Sequence, residues 1–248
     1  MKITRRVLAS FATLLAACLL HAADSKPIAR VIAITDIETD DPGAYAVWVA
    51  RYNQIAKDRL KIDPYLRVYQ SIYDGHGTGR VRVVIGAASV AELSKNTAVL
   101  ESDPAILEFN SQVRGMRKMG PRVLYQAIRF DGPSVKGAWN YNTLAVVTDE
   151  SGYLKAIDEL PGIFSAGGLK EVKIGVYRVL AGRNDHTHRI TLSTSSSEQL
   201  AKLLDLMANN DRVAEWLAKS AKLRTVVANT VSKEITKYAE MAGRSAAD

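Results

Sequence analysis

The sequence predicts an α+β protein in which one βαββαβ unit occurs twice, the two units packed sheet to sheet around a barrel-like core within one chain. Three observations predict it. Sliding the chain by about 107 residues aligns Gly75 with Gly182, Arg82 with Arg189, Ser89 with Ser196, Leu93 with Leu200, Lys95 with Lys202 and Arg117 with Arg224 without a gap. Strand-like and helix-like periodicity then follow in the same order in each half. A βαββαβ unit also carries both helices on one face of its sheet, so its bare apolar face needs a second unit to cover it.

The first 23 residues stand apart from this pattern. Lys2, Arg5 and Arg6 precede an apolar run from Val7 to Leu20, and Ala22-Ala23 offers small residues for cleavage before Asp24, which together describe a signal peptide. Leu15-Ala16-Ala17-Cys18 resembles the lipobox of bacterial lipoproteins, so the exported, periplasmic product is expected either free or held by a lipid anchor on Cys18. Cys18 is the single cysteine, which excludes an intrachain disulfide and a CxxC redox pair. The formal charge of +7 falls to +4 without the three basic residues of the leader, and the remaining basic residues are scattered among acids, so no nucleic-acid partner is expected.

The first unit is assigned to residues 28–131. Arg30 to Thr35 is a β-branched run fit for a strand. Asp41 caps the helix that follows, Pro42 suits its first turn, and Tyr45, Trp48, Tyr52 and Ile55 recur at helical spacing as a core stripe. Tyr65 to Tyr73 and Arg80 to Ala87 form a hairpin whose Gly75-His76-Gly77-Thr78-Gly79 connection is a turn, since the lysine of a phosphate-binding loop is missing. Ser89 with Glu92 is a capping box, Asp103-Pro104 restarts the helix, and Val123 to Ile128 closes the unit.

Asp131 to Asn140 reads as a linker, and the second unit is assigned to residues 140–237. Its strands are expected at Thr143 to Thr148, Lys173 to Leu180, His188 to Ser193 and Thr225 to Val231, with helices around Tyr153 to Leu160 and from Ser196 to Leu223. In this alignment Ile34-Thr35-Asp36 matches Val147-Thr148-Asp149 once the first helix of the second unit is shortened. Residues 238–248 form a polar tail.

The hairpin followed by a capped, interrupted helix, Tyr73-Asp74-Gly75 through Ser89 to Arg117 and again Leu180-Ala181-Gly182 through Ser196 to Arg224, resembles the dimeric α+β barrel superfamily. Within it the pattern is similar to the antibiotic-biosynthesis-monooxygenase-like (ABM-like) proteins, here as a tandem of two ferredoxin-like βαββαβ repeats spanning roughly residues 28 to 237. The resemblance implies a barrel core and a superfamily that includes cofactor-free monooxygenases, haem-degrading enzymes and proteins without known activity. No haem-ligating histidine or oxygenase residue set matches position by position, so no cofactor is expected.

In the strand order of such a unit the first and third strands are antiparallel neighbours. That sets Asp36 near Arg82 and Asp149 near Arg189. Strand alternation puts both arginines opposite Val83, Ile85, Ile190 and Leu192, hence toward the barrel interior with Thr191 and Ser193. Two guanidinium groups there suit an anionic ligand, whereas the competing role is a plain ion pair finishing each strand end. Asp185, His186 and His188 are weak metal candidates, because two imidazoles on one strand face with a carboxylate can hold a cation; the first unit offers only His76 in the matching loop, and no metal site is expected. Glu38, Asp40 and Asp41 belong to a helix start.

The expected function is therefore binding of a small anionic or aromatic molecule between the two units. An ABM-like monooxygenase and a partner-binding module are the alternatives, and the outer helix layers are a candidate homo-oligomer surface.

Overall fold

The computed structural model describes residues 30–74, 79–132, 137–182 and 185–236. The leader with Cys18, the loop residues Gly75, His76, Gly77 and Thr78, and the 238–248 tail lie outside the described residues. Each half begins with a strand that leads into a capped helix. β1 (Val31–Glu38) runs to α1 (Pro42–Leu60), where Asp41 accepts from the Ala44 N–H and Pro42 fills a first-turn position whose own N–H would have no helical partner. β2 (Arg67–Tyr73) and β3 (Arg80–Ala87) form the hairpin, followed by α2 (Val90–Ser102), α3 (Pro104–Ser111) and β4 (Lys118–Phe130).

The Ser89 side chain accepts from the Glu92 N–H, and the Glu92 carboxylate reaches back to the Ala88 N–H. Asp103 ends α2 and caps α3 through the Ala105 and Ile106 N–H groups, so the interruption is a second cap rather than a kink.

The second half repeats the order with β5 (Trp139–Val147), α4 (Glu150–Ile157), α5 (Leu160–Ala166), β6 (Lys173–Ala181), β7 (His188–Thr194), α6 (Ser197–Asn209), α7 (Asp211–Ser220) and β8 (Arg224–Glu234). The helix expected around Tyr153 to Leu160 is two, α4 and α5, the second reaching Ala166, and two further elements differ from expectation. The helix read as continuous from Ser196 to Leu223 breaks at Asn210, whose side chain accepts from the Val213 N–H and starts α7. The strand placed at Thr143 begins at Trp139, so Asn140 belongs to β5 and not to the linker.

The eight strands close into one barrel in the order β1-β3-β2-β8-β5-β7-β6-β4, every neighbouring pair antiparallel. Read by half, the order is 4-1-3-2 and then 8-5-7-6, the ferredoxin-like arrangement on both sides, and β2–β8 and β4–β6 are the two seams that join them. The helices pack outside. Tyr45, Val49 and Tyr52 of α1 are buried against the first half, while Tyr153, Phe164, Leu203, Val213 and Trp216 form one continuous core with Ile190 and Leu192 in the second. At the β4–β6 seam Gly182 sits at φ +113°, and a Cβ there would lie 2.5 Å from the Arg122 carbonyl oxygen.

Gly182→Ala is expected to lower the unfolding free energy by about 1–3 kcal/mol, read from the urea midpoint, because it adds both the clash and a left-handed non-glycine backbone. An unchanged midpoint would show that the seam relaxes around the methyl group.

Candidate functional site

Alternation decides which side chains enter the lumen. In β3 and β7 the aliphatic residues Val83, Ile85, Ile190 and Leu192 join the outer cores, which turns Arg82, Val84, Arg189, Thr191 and Ser193 inward. They line a cavity of about 70 Å3 together with Ile32, Ile34, Tyr69, Asn140, Asn142, Tyr177 and Ser232. Its two walls differ in chemistry. Ile32, Ile34 and Val84 come from the first half, and Asn140, Asn142, Thr191 and Ser193 from the second.

Arg82 and Arg189 occupy matching places and have different partners. Arg82 Nε donates to Asp36 Oδ1 at 3.2 Å and Nη1 to Thr230 Oγ1 at 3.1 Å; the strand register sets Asp36 directly opposite Arg82. The residue directly opposite Arg189 is Leu144. Arg189 is buried and bonds through Nη2 to Asn142 Oδ1 at 2.7 Å. Among the described residues no carboxylate lies within ion-pair reach of it. Burial, and then the like charge of Arg82, hold its pKa below the ordinary guanidinium value, opposed by Tyr125, Tyr177 and Asp36. Guanidinium stays protonated even so. The lumen thus contains a cation whose partner is a neutral amide.

The expected Asp149–Arg189 pair is not present, and this corrects the alignment. Asp149 lies past the end of β5 and caps α4 by accepting from the Gly152 N–H at 2.9 Å, with φ −130° and ψ 95°. Asp41 has φ −130° and ψ 92° and does the same for α1. Asp149 is therefore the counterpart of Asp41, Leu144 is the counterpart of Asp36, and the two halves align without shortening a helix. The spacing Asp41 to Tyr45 and Asp149 to Tyr153 carries that alignment in the sequence. It is reinforced by Arg117 and Arg224, which donate to the Tyr45 and Tyr153 hydroxyls respectively.

Asn142 organises the polar wall. Its amide oxygen accepts from Arg189 and from Thr191 Oγ1 at 3.0 Å, and its amide nitrogen donates to Ser232 Oγ at 3.2 Å. Ser193 Oγ donates to Asn140 Oδ1 at 2.6 Å. Neither asparagine stood out in the sequence, since asparagine is a poor strand residue. The matching positions in β1 are Ile32 and Ile34.

The histidines are not brought together, a second correction. His186 precedes β7 and is buried, with Nε2 2.9 Å from the Tyr125 hydroxyl and Nδ1 2.7 Å from Asp185 Oδ1. His188 sits beside outward Ile190 in alternation and pairs with Glu150 Oε2 at 2.9 Å and Thr187 Oγ1 at 2.8 Å. The loop turns the first ring inward before the strand begins, so strand periodicity does not govern it. Among the described residues no group of three His, Cys, Asp or Glu side chains is arranged to hold a metal ion. The aromatic stripe is core: Trp48 stacks on Phe109 at 5.3 Å between ring centroids and lies against Tyr45 and Tyr52.

Buried Glu234, which the sequence did not single out, ion-pairs with Arg67 and accepts from the Gly137 N–H.

No protein-family model matches the chain, and no curated protein matches its sequence. Solved structures do share its fold. A protein from Fusobacterium nucleatum provisionally named a monooxygenase superposes with TM-score 0.51 at 7% identity, over 84% of this chain and 93% of that one. One from Lactobacillus acidophilus with the same provisional name gives 0.52 at 8%, over 82% and 92%. The dye-decolorizing protein from V. cholerae gives 0.53 at 8%, over 87% and 97%. At these identities the likeness fixes the ferredoxin-like α+β barrel fold alone.

Asp149→Ala separates the two roles considered for that residue. As a helix cap its loss is expected to cost about 1 kcal/mol of stability in chemical denaturation. A partner of Arg189 would instead leave a buried charge unpaired and cost about 3–5 kcal/mol.

Proposed function

We propose that this is a binding protein that holds a small anionic molecule in the barrel lumen, between Arg82 and Arg189. The observation that carries the reading is the buried Arg189 guanidinium, which among the described residues has one neutral hydrogen-bond partner and a second cation as its neighbour. Removing a charge from water costs several kcal/mol unless an opposite charge answers it. Arg82 has Asp36 for that purpose; among the described residues Arg189 has only the Asn142 amide, and it lines the cavity. An anion entering there gains charge-assisted hydrogen bonds and supplies the missing countercharge.

The size of the lumen supports a small ligand. Drug-sized or polycyclic molecules need roughly 300–1,000 Å3. A cavity of about 70 Å3 takes a few heavy atoms. An ABM-like oxygenase acting on an aromatic compound is less well supported for that reason. Export belongs to the same proposal and is carried by the leader residues Lys2, Arg5, Arg6 and Val7 to Leu20, with Cys18 as the acylation point if the product is anchored. The tandem of two related units, argued from the sequence alignment and the shared strand order, is proposed as the origin of the matching arginines.

Arg189→Met tests the reading because it sets stability against binding. Methionine fills the same space without charge, and Asn142 Oδ1 keeps its bond from Thr191. The variant is expected to melt at the same temperature or higher, since exchanging a poorly compensated buried charge for an apolar side chain is neutral or stabilising by about 1–4 kcal/mol. Calorimetric titration with acetate, benzoate and inorganic phosphate should show anion binding weakened about tenfold or more. A variant that melts far lower, or that binds anions as the wild type does, would make Arg189 a structural residue.

A further inference from the structure

Tyr177 stands at one wall of the cavity. On β6, Gly175 lies opposite Thr191 and Tyr177 opposite Arg189, so both face the lumen from the same side of the strand. A Cβ built on Gly175 would meet Tyr177 Cε2 and Oη at 2.7 Å and Cζ at 2.9 Å. The ring is therefore folded back along its own strand, over the glycine, with Phe130 tilted against it at 6.4 Å. With a Cβ at position 175 the end of the Tyr177 ring would have to shift. A tyrosine pointing straight across the lumen would need no glycine beneath it, so the pair fixes where the cavity wall stands. Burial pushes the Tyr177 phenol above its ordinary pKa, with Tyr65 adding to the shift, so it faces the cavity as a neutral hydroxyl.

The donors that remain have a definite shape. Arg82 spends Nε and Nη1 on Asp36 and Thr230, and Arg189 spends Nη2 on Asn142. Among the described residues Arg189 Nε and Nη1 carry no hydrogen bond and Nη2 has a second hydrogen, so one two-donor edge of the guanidinium, Nε with Nη2 or Nη1 with Nη2, remains to grip two coplanar oxygens. Ile32, Ile34 and Val84 supply an apolar wall for a short carbon tail. About 70 Å3 of room, at roughly 10–15 Å3 for each water-sized site, leaves space for about five non-hydrogen atoms.

We infer that the ligand is a short-chain carboxylate of roughly acetate to propionate size, and that Tyr177, seated over Gly175, is the residue that sets this limit. The inference rests on the anion-binding reading above and names its ligand class. Tyr177 is a specificity residue: it excludes larger acids by occupying their place, while the arginines provide the attraction.

The test is calorimetric titration of the wild type, Tyr177→Ala, Tyr177→Leu and Gly175→Ala with acetate, benzoate and inorganic phosphate, each variant first shown to unfold cooperatively. The wild type should prefer acetate to benzoate and to phosphate by about tenfold or more. Tyr177→Ala should bind benzoate about tenfold more tightly than the wild type and keep acetate within a few-fold; Tyr177→Leu should shift the same way by less, and stands in if the alanine variant does not fold. Gly175→Ala, which drives the ring into the cavity, should lose acetate binding about tenfold. Unchanged acid preference in both Tyr177 variants overturns the size limit. Phosphate bound in preference to acetate overturns the ligand class and leaves the anion site standing, whereas a wild type that binds none of the three removes both.

Discussion

Closure of the strand ring is the constraint on which the rest of the molecule depends. A four-stranded βαββαβ sheet with helices on one face leaves its other face open, and side chains there would be wet. Joining β2 to β8 and β4 to β6 turns those two open faces into one lumen without free edges along the paired lengths. The barrel wall shields the lumen from most of the solvent, so polar groups pointing inward gain from partners inside. Most do so. Asn142 alone serves Arg189, Thr191 and Ser232, and Asn140 serves Ser193.

The two halves build the walls of that lumen from different side chains. Positions that are Ile32, Ile34 and Asp36 in β1 are Asn140, Asn142 and Leu144 in β5, facing Arg82 and Arg189 respectively. The first half pairs its arginine with a carboxylate and lines β1 beside it with aliphatic groups. The other half inverts this: an amide replaces the aliphatic residue, a leucine replaces the acid, and the guanidinium is left with hydrogen-bonding capacity and a positive field. A chain selected for stability alone would gain by losing that charge. Its place beside a cavity is what supports the proposal of an anion site there.

Much of the architecture was legible in the sequence because its signals are local. Ser89 with Glu92, Asp103-Pro104 and Asp41-Pro42 mark caps that the structure uses, and alternation in Arg82 to Ile85 and Arg189 to Leu192 states which residues face inward. The site was legible only in part. Pairing of Asp149 with Arg189 followed from matching Asp36 to Asp149, which needed a shortened helix; cap geometry shows that Asp149 answers to Asp41. Asn140 and Asn142 were hidden because strand propensity disfavours asparagine, and their reason for being in β5 is a hydrogen-bond network visible only once the barrel is closed. The inward turn of His186 depends on a loop, which periodicity does not describe.

The proposal puts an anion beside the positive charge in the lumen, so the most direct measurement locates one. Diffraction at the bromine absorption edge from crystals soaked in sodium bromide should show an anomalous peak inside the barrel, within contact distance of the Arg189 guanidinium and facing Arg82. Bromide found only on the outer surface, with the lumen filled by side chains or water alone, would contradict the account.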